Sequence, residues 1–515
     1  MRLNGVDVRF EAMNGALPVW RGMVTAWTWG TAAERIKIAG GRLLSLWGED
    51  RRLWAGHFVM SAVFQLQEGF VWLYLPLSTG LNGYPDLSGL FPEAVRMQRA
   101  VADLLGLTAT GAVDARRWLR HAAWPSDYFP LRNERSGLEV FDSRATEDYD
   151  FTQVAGDGVH EIAVGPVHAG IIEPGHFRFS VVGEKVLRLE ERLGYTHKGV
   201  EKLFERTLPA QGARIAGRIS GDSTVAYAWA YSMALESALN VTIPPSAQWM
   251  RILMLEHERI ANHLGDLGAL GNDAGFAFGL TQFSLLRERW QRVNKQVFGH
   301  RFMMDRIVPG GTIVPWSTAS RETLLDQCAQ VEREVLELQK IYDGHAGLQD
   351  RFTNAGRVSV SLAMKLGLAG LAGRASGLAN DLRADLPGSG YDDFDVRVAS
   401  SQDGDVAARV QVRFAEIIES LRLIRQACER LGEGVATPVA PLPDVAGAGM
   451  GCVEGWRGPV FVALELSESR IRRCHCHDPS WHNWPVLEHA IIGNIVPDFP
   501  LINKSFNLSY SGHDL

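Results

Sequence analysis

The chain has 515 residues, with 52 Lys and Arg against 59 Asp and Glu, which gives a net charge of −7. With 46 % hydrophobic and 22 % charged residues it can bury a sizeable core, which excludes disordered and low-complexity classes. The length predicts more than one domain, and the mild acidity gives no electrostatic reason to bind nucleic acid.

Five cysteines are too few for a disulfide framework, and an odd, sparse set favours a reducing compartment. No C-x-x-C pair occurs among them. The first residues contain no apolar core of a signal peptide, and no apolar run reaches the roughly 18 residues that a membrane span needs. We therefore expect a soluble chain, which could still sit on a membrane protein.

The first third of the chain predicts a small domain of strands and one helix. Segments 35–47 and 52–76 are rich in Val, Leu, Phe and Trp with partial alternation, which is typical of strands. Segment 93–105 has helical apolar spacing and stops at Gly106. Because segment 133–159 is polar and acidic, we interpret it as a linker between domains 1–132 and 160–515.

The sequence pattern of the second domain predicts a helical bundle with small sheets at both ends. The predicted helices are 224–240, 246–270, 280–298, 320–341, 367–384, 405–431 and 484–493. The predicted strands are 161–164, 176–182, 460–466 and 470–477, with a Pro/Gly/Ala loop at 432–448. The fold class is therefore α+β: a small α+β domain followed by a large helical-bundle domain with small peripheral sheets.

Segment 470–478, with its alternating Cys and His, superficially suggests a metal site. In a strand, Cys474 and Cys476 share one face while His475 and His477 share the other, so four ligands cannot converge on one ion. We expect a structural strand, with the cysteines buried and the histidines facing solvent.

Two acid–histidine pairs are candidates for a catalytic role. Glu256 and His263 share a helix face, but Ala261 stands where the zinc-peptidase motif needs a histidine, so a buried polar pair is predicted. His197 and Glu201 lie one helical turn apart and could form an acid–base pair, with a surface pair as the alternative. The chain has no dinucleotide or P-loop glycine motif.

Ordered motifs resemble the large subunit of energy-converting nickel–iron hydrogenases and the homologous D-type subunit of respiratory complex I, which holds the quinone site. They lie at 165–168, 173–178, 194–203, 231–236, 258–268, 381–387, 391–392, 483–485 and 501–505. Segments 84–87, 91–92, 103–107 and 124–132 are similar to the C-type subunit of complex I. This order resembles most the formate hydrogenlyase and hydrogenase-4 large subunits, and it implies a docking role for residues 1–132.

The chain departs from this family at the metal ligands. Two C-x-x-C pairs hold nickel and iron in such hydrogenases, because soft thiolates bind nickel and bridge it to iron. By position, these pairs fall on Ser220 and Ser223 and on Ser509 and Gly512. We therefore expect no nickel–iron centre and no cofactor bound by this chain itself. With only three residues after Gly512, we also expect none of the C-terminal extension that such hydrogenases lose after metal insertion.

The quinone contacts of the D-type subunit are also altered. The family's tyrosine falls on Gly221, and its histidine falls near Glu173. Under the resemblance, the candidate proton-transfer residues are Glu173, His176 and Asp222. The candidate residues lining a quinone cavity are His168, Gly221, Arg383 and Asp385, the last two as an ion pair. The alternative is that these residues only fill an inherited cavity with hydrogen bonds.

The resemblance implies a metal-free core subunit of a membrane-bound, complex I-like oxidoreductase, active only in its complex. It would pass electrons to quinone and couple this to proton translocation, and the NAD binding of the family would belong to other subunits. Expected partners are an iron–sulfur small subunit like the B-type subunit of complex I, a ferredoxin-like subunit and antiporter-like membrane-arm subunits, with the Fe–S clusters in partner subunits. The chain would lie peripherally on the cytoplasmic face of the inner membrane. A non-catalytic structural and coupling subunit is the alternative, and an active hydrogenase with oxygen ligands is the least favoured.

Overall fold

The computed structural model describes residues 5–142, 147–386, 388, 390–431, 440–443 and 446–515. Its strands are β1 Phe10–Ala12, β2 Val19–Met23, β3 Arg42–Asp50, β4 Phe58–Leu66, β5 Gly69–Pro76, β6 Gly83–Pro85, β7 Thr108–Thr110, β8 Val159–Val164, β9 His176–Val182, β10 Lys185–Arg192, β11 Ile307–Val308, β12 Gly311–Thr312, β13 Gly447–Glu454, β14 Pro459–Ser467 and β15 Arg470–His477. Its helices are α1 Ala26–Ile38, α2 Arg52–Ala55, α3 Ala94–Leu105, α4 Val200–Phe204, α5 Gly212–Ala216, α6 Thr224–Leu239, α7 Pro245–Asp273, α8 Ala277–Phe298, α9 Thr318–Gly344, α10 Ala346–Phe352, α11 Val360–Lys365, α12 Gly370–Arg374, α13 Leu382–Asp385, α14 Val406–Leu431, α15 Ser480–Ala490, α16 Phe499–Phe506 and α17 Tyr510–Asp514.

The N-terminal domain is a five-stranded sheet in the order β1-β2-β5-β4-β3, covered by helices. The β2–β5 pair is parallel and the other pairs are antiparallel. The predicted helix at 93–105 is confirmed as α3, and it ends at Gly106 in the left-handed conformation (φ 72°). The predicted strand at 35–47 is wrong at its start, because α1 extends to Ile38 and β3 begins only after the turn at Gly40 (φ 81°).

The C-terminal domain packs long helices against two three-stranded sheets, β8–β10 and β13–β15, which confirms the predicted α+β class. The predicted long helices are confirmed as α6, α7, α8, α9 and α14. Helix α6 lies directly on β13, because a Cβ at Gly449 or Gly451 would lie 2.0 Å from a carbonyl oxygen of α6. This close packing fixes the position of α6, whose N-terminus directly follows the first altered ligand motif.

The predicted helix at 367–384 is wrong. Gly367, Gly370 and Gly377 have φ angles of 67°, 60° and 87°, which break the segment into the short helices α12 and α13. A Cβ at Gly370 would lie 1.8 Å from the Arg457 carbonyl oxygen, so the glycine lets this segment approach the loop between β13 and β14.

Strand β15 confirms the predicted strand and its buried cysteines, but the prediction that its histidines face solvent is wrong. Strand β3 of the N-terminal domain covers them, with Ser45 Oγ lying 2.7 Å from His475 Nε2 and 3.2 Å from His477 Nδ1. The two domains therefore share a buried interface at β3 and β15.

Neither of the two predicted acid–histidine pairs forms in the structure. Glu256 accepts a hydrogen bond from Tyr391 (2.5 Å), whereas His263 lies 2.8 Å from Glu416. Glu201 Oε1 lies 2.7 Å from His475 Nδ1 instead of pairing with His197. The tertiary structure supplied closer partners from elements distant in sequence.

Segments 133–142 and 147–158 contain no helix or strand. The domain boundaries placed there from the sequence stay predictions. Most of the predicted loop at 432–448 lies outside the described residues, as does position 387 of the motif at 381–387.

Candidate functional site

The two altered ligand motifs meet, although they are 289 positions apart in the chain. Ser220 and Ser223 precede α6, and Ser509 is the N-cap of α17, where its hydroxyl accepts from the Gly512 N–H (2.8 Å). Ser220 Oγ lies 2.9 Å from Ser509 Oγ. The fold therefore brings all four positions to one place, as the resemblance implied.

An ion pair occupies this meeting point. Arg457, from the loop between β13 and β14, binds both carboxylate oxygens of Asp222, with one of the two contacts at 2.9 Å. Asp222 Oδ1 also accepts from Ser220 Oγ (2.7 Å) and Ser223 Oγ (3.3 Å). We call Ser220, Asp222, Ser223, Arg457 and Ser509 the serine–aspartate cluster.

The electrostatics of the cluster fix Asp222 as an anion. Burial would raise the pKa of its carboxyl, but the Arg457 guanidinium and the serine hydroxyls outweigh burial and lower this pKa to about 2. Asp222 therefore balances charge at neutral pH, and it is a weak proton carrier there.

A nickel–iron centre does not fit these residues. The four positions offer three hydroxyls and a glycine, and none is a thiolate. Arg457 Nη1 lies 3.3 Å from Ser223 Oγ, which places a positive charge beside a former ligand position. Within the described ranges, no group of three or more His, Cys, Asp or Glu is arranged to hold a metal ion.

Gly512 shows that the site has been repacked. A Cβ at this position would lie 2.5 Å from Asp478 Oδ2 and 2.9 Å from Ser509 Oγ. Asp478 cannot easily move, because it accepts from the Tyr227 hydroxyl (2.9 Å) and from the Ser480 N–H (2.8 Å). A cysteine at 512 would clash with this fixed carboxylate.

The loop between β8 and β9 brings two predicted residues to α17, next to the cluster. The Ser511 N–H donates to Glu173 Oε2 (3.1 Å), and His168 Nε2 lies 3.3 Å from the Tyr510 hydroxyl. Burial lowers the pKa of the His168 imidazole, so this ring is neutral near pH 7. His168 and Glu173 of the loop and Tyr510 of α17 thus form a patch with imidazole, carboxylate and hydroxyl groups.

His176 lies at the base of the same loop. Its Nδ1 is 3.4 Å from the Gly165 carbonyl oxygen, and its buried Nε2 has no hydrogen-bond partner within the described ranges. Burial lowers the pKa of this imidazole as well. His176 is therefore near the patch but does not touch the serine–aspartate cluster.

Gly221 and Asp222 line a cavity of about 300 Å³ between α7, α8 and the segment after α8. Gly221 is exposed, and nothing would lie within 4 Å of a Cβ there. The vacated tyrosine position therefore opens onto free volume.

The structure does not bring Arg383 and Asp385 to this site. Arg383 donates to Asp381 (2.7 Å) and to Glu256 (3.2 Å), whereas Asp385 accepts from the Asp381 N–H (2.8 Å). The expected Arg383–Asp385 ion pair is wrong, because Asp381 is the N-cap of α13 and lies closer to the guanidinium. Arg383 belongs to a buried ion network made of Glu256, Arg259, Arg374, Asp381, Arg383, Glu416 and Glu454.

Sequence reasoning missed Arg457 and Tyr510. Tyr510 lies inside the second altered motif, so its position was a usable signal. Arg457 follows Trp456 in a loop flanked by Gly455 and Gly458, and no spacing rule connects that loop to Asp222. Only the close approach of β13 to α6 places it there.

Comparison with known families agrees with this architecture. The model of the 30 kDa subunit of respiratory-chain NADH dehydrogenase matches residues 24–138, and that of the 49 kDa subunit matches residues 273–442. Such a C-like and D-like pair defines the class of complex I and hydrogenase core subunits.

None of the helices within the described ranges is both long and apolar enough to cross a membrane.

Individual relatives refine this assignment. Formate hydrogenlyase subunit 5 of Escherichia coli (strain K12) is 30 % identical over 490 residues, which cover 92 % of this chain and 85 % of the relative. Hydrogenase-4 component G of the same organism is 28 % identical, with 92 % and 84 % covered. The chain belongs to the family of energy-converting hydrogenase large subunits and complex I C/D subunits, which confirms the resemblance.

A solved structure supports the fold. It is titled as the structure of the membrane-bound sulfane sulfur reductase, an archaeal respiratory membrane complex. The matching chain superposes with a TM-score of 0.63 at 23 % identity, over 70 % of this chain and 100 % of that chain.

Proposed function

We propose that the chain is a metal-free core subunit of a membrane-bound, complex I-like oxidoreductase, in which the patch beside the serine–aspartate cluster serves electron transfer to quinone. The observation that carries the proposal is that three of the four ligand positions belong to one hydrogen-bonded cluster around the Asp222–Arg457 ion pair. The fourth, Gly512, donates its N–H to Ser509 of this cluster. The family scaffold around it is retained.

A quinone headgroup needs hydrogen-bond donors at its carbonyl oxygens. Tyr510 and His168 can supply one such donor, because burial raises the pKa of the tyrosine hydroxyl and keeps it protonated, and the neutral imidazole carries one N–H. One of these groups donates to the other in their 3.3 Å contact, and the remaining O–H or N–H is free for the headgroup. Reduction to the quinol takes two electrons and two protons. The electrons would come from an Fe–S cluster of a partner subunit, and Glu173 lies beside Tyr510 as a route for protons.

The proposed assembly follows from the relatives. One relative is named as a subunit of formate hydrogenlyase and another as a component of hydrogenase-4, and the structural neighbour comes from a respiratory membrane complex. We place this chain peripherally on the cytoplasmic face of the inner membrane, with an iron–sulfur small subunit, a ferredoxin-like subunit and antiporter-like subunits as partners. Coupling to proton translocation is part of the same proposal.

A structural and coupling subunit is the second candidate. The observation that favours it is the saturation of Asp222, whose carboxylate accepts from two serines and one arginine. A cluster with all of its groups satisfied can hold shape without binding a substrate.

Quinone reductase activity of the intact complex separates the two candidates. We expect His168→Gln and Glu173→Gln to lower the rate about 100-fold, because the first removes the imidazole beside the headgroup and the second removes the carboxyl that carries protons. His160→Gln, at an exposed position of β8, is the matched control and should leave the rate unchanged. An inactive wild-type complex, or rates that neither substitution alters, would support the structural candidate.

A further inference from the structure

A second cavity adjoins the one at Gly221. It has a volume of about 480 Å³ and shares a wall with the 300 Å³ cavity. The shared residues are Asp222, Asn262, Arg287 and Gln291. The junction lies between α7 and α8.

Most charges around this junction are already balanced. Each ionised acid on the walls binds at least one cation that is within hydrogen-bond distance. The pairs are Asp222 with Arg457, Asp266 with Arg413 and Glu288 with Arg301. Asp266 and Glu288 each have a second cation as well, Lys504 and Arg292. Each of these acids is therefore neutralised by a cation other than Arg287, the remaining cation on the walls.

Glu258 does not alter this balance. It lines the smaller cavity, and burial raises the pKa of its carboxyl to about 8, so the group is neutral near pH 7. Its oxygens accept from the Val225 and Ala226 N–H groups at the start of α6, at 2.7 and 3.1 Å.

Arg287 is the cation at the junction that has no acidic partner within 4.0 Å in the described part of the chain. Its Nε is buried without a hydrogen-bond partner there. Gly265 of α7 makes room for this side chain, because a Cβ at that position would lie 3.0 Å from Arg287 Nη1. The guanidinium is therefore held at the cavity wall by packing, with donors to spare.

Gln291 supplies a second donor one helical turn along α8. The side chain is only 4 % exposed, and its Oε1 accepts from Arg301 (2.9 Å). This contact fixes the amide orientation and leaves Nε2, which makes no hydrogen bond within the described ranges, to donate into the cavity. Phe302, Met303 and Met304 make the far end of the smaller cavity apolar.

We infer that the junction is a binding site for a small organic anion, a carboxylate with a short apolar chain, held by Arg287 and Gln291. The carboxylate accepts hydrogen bonds from the guanidinium and the amide, and the apolar chain of the ligand packs on the methionines. The site is separate from the quinone patch, and it does not depend on the proposed electron transfer.

Binding of butanoate to the assembled complex tests this inference, with butanamide as the neutral probe of the same shape. We expect butanoate to bind at least about tenfold more tightly than butanamide, because only the anion forms an ion pair with the guanidinium. Arg287→Gln should weaken butanoate binding about tenfold and butanamide binding by clearly less, because only butanoate loses an ion pair. Arg289→Gln is the matched control, since Arg289 lies on the opposite face of α8 and pairs with Glu334.

Ligand-observed NMR on the complex gives both affinities, and circular dichroism checks that each variant is folded. Equal affinity of wild type and Arg287→Gln for butanoate would overturn the inference. Equal binding of the two probes, or no butanoate binding by the wild-type complex, would overturn it as well.

Discussion

The serine–aspartate cluster and the buried ion network use the same chemistry in different surroundings. Both join carboxylates to guanidinium groups, but the Asp222 side chain is 33 % exposed next to a cavity, whereas Arg374 and Glu416 are 0 % and 1 % exposed. The network is closed to solvent on every side, and the cluster has one open side. Because only the cluster borders open volume, we place the proposed chemistry in its surroundings, at the patch beside it, and assign stability to the network.

The largest effect is expected in the network. Arg374→Met removes the cation that binds Glu416 (2.8 Å) and Glu454 (2.7 Å), and it leaves buried charges without compensation. We expect the free energy of unfolding to fall by about 3–5 kcal/mol. Urea unfolding measures it, with Arg292→Met at an exposed pair as control. A loss as small as that of the control would contradict the assignment.

The second-largest effect on stability is expected at Gly512, which occupies one of the altered ligand positions. Gly512→Ala would force Asp478 or Ser509 to move, so we expect a loss of about 1–3 kcal/mol. Gly221→Ala, at the open side of the same site, should change stability by less than about 0.5 kcal/mol. Thermal unfolding of both variants makes the comparison, and similar shifts would show that position 512 is not tightly packed.

Glu258, which lines the cavity beside the cluster, makes the free energy of unfolding depend on pH. Its pKa is raised from 4.5 to about 8 in the folded chain, so the folded state keeps a proton that the unfolded state releases. This carboxyl therefore stabilises the fold fully below pH 4.5, and its contribution falls as the pH rises towards about 8. Glu258→Gln should remove about 1 kcal/mol per pH unit of that slope. Urea unfolding across this range tests it, with Glu337→Gln as exposed control, and an unchanged slope would argue against a neutral Glu258.

The smallest effect is expected at the quinone patch. Tyr510→Phe removes a hydroxyl that lies 3.3 Å from His168 Nε2, and we expect a loss of only about 0.5 kcal/mol. Thermal unfolding measures this loss, and a loss of several kcal/mol would assign the pair to the core instead of to the patch.

The sequence predicted the regular parts of the fold well and the irregular parts poorly. Long periodic segments such as α7 and α14 were found, because many residues repeat the same signal. Segment 367–384 was misassigned, since glycines with positive φ interrupt an otherwise helical composition. The end of α1 was assigned to a strand because Ile36 and Ile38 are β-branched and alternate with Lys37.

The site was predictable only through the family. The meeting of Ser220 with Ser509 follows from the positions of two motifs, and no local pattern would have paired them. Arg457 could not be foreseen, because its approach to Asp222 depends on how β13 packs on α6. Likewise the histidines of β15 were expected in solvent, since the covering strand β3 belongs to another domain.

Nickel content is the most direct test of the central claim that the ligand positions have become a metal-free polar site. The intact complex, purified from cells grown with added nickel, should contain nickel far below one atom per chain by mass spectrometry of the metal. Iron does not decide the matter, because the proposed partner subunits would carry Fe–S clusters. Nickel at one atom per chain would contradict the account.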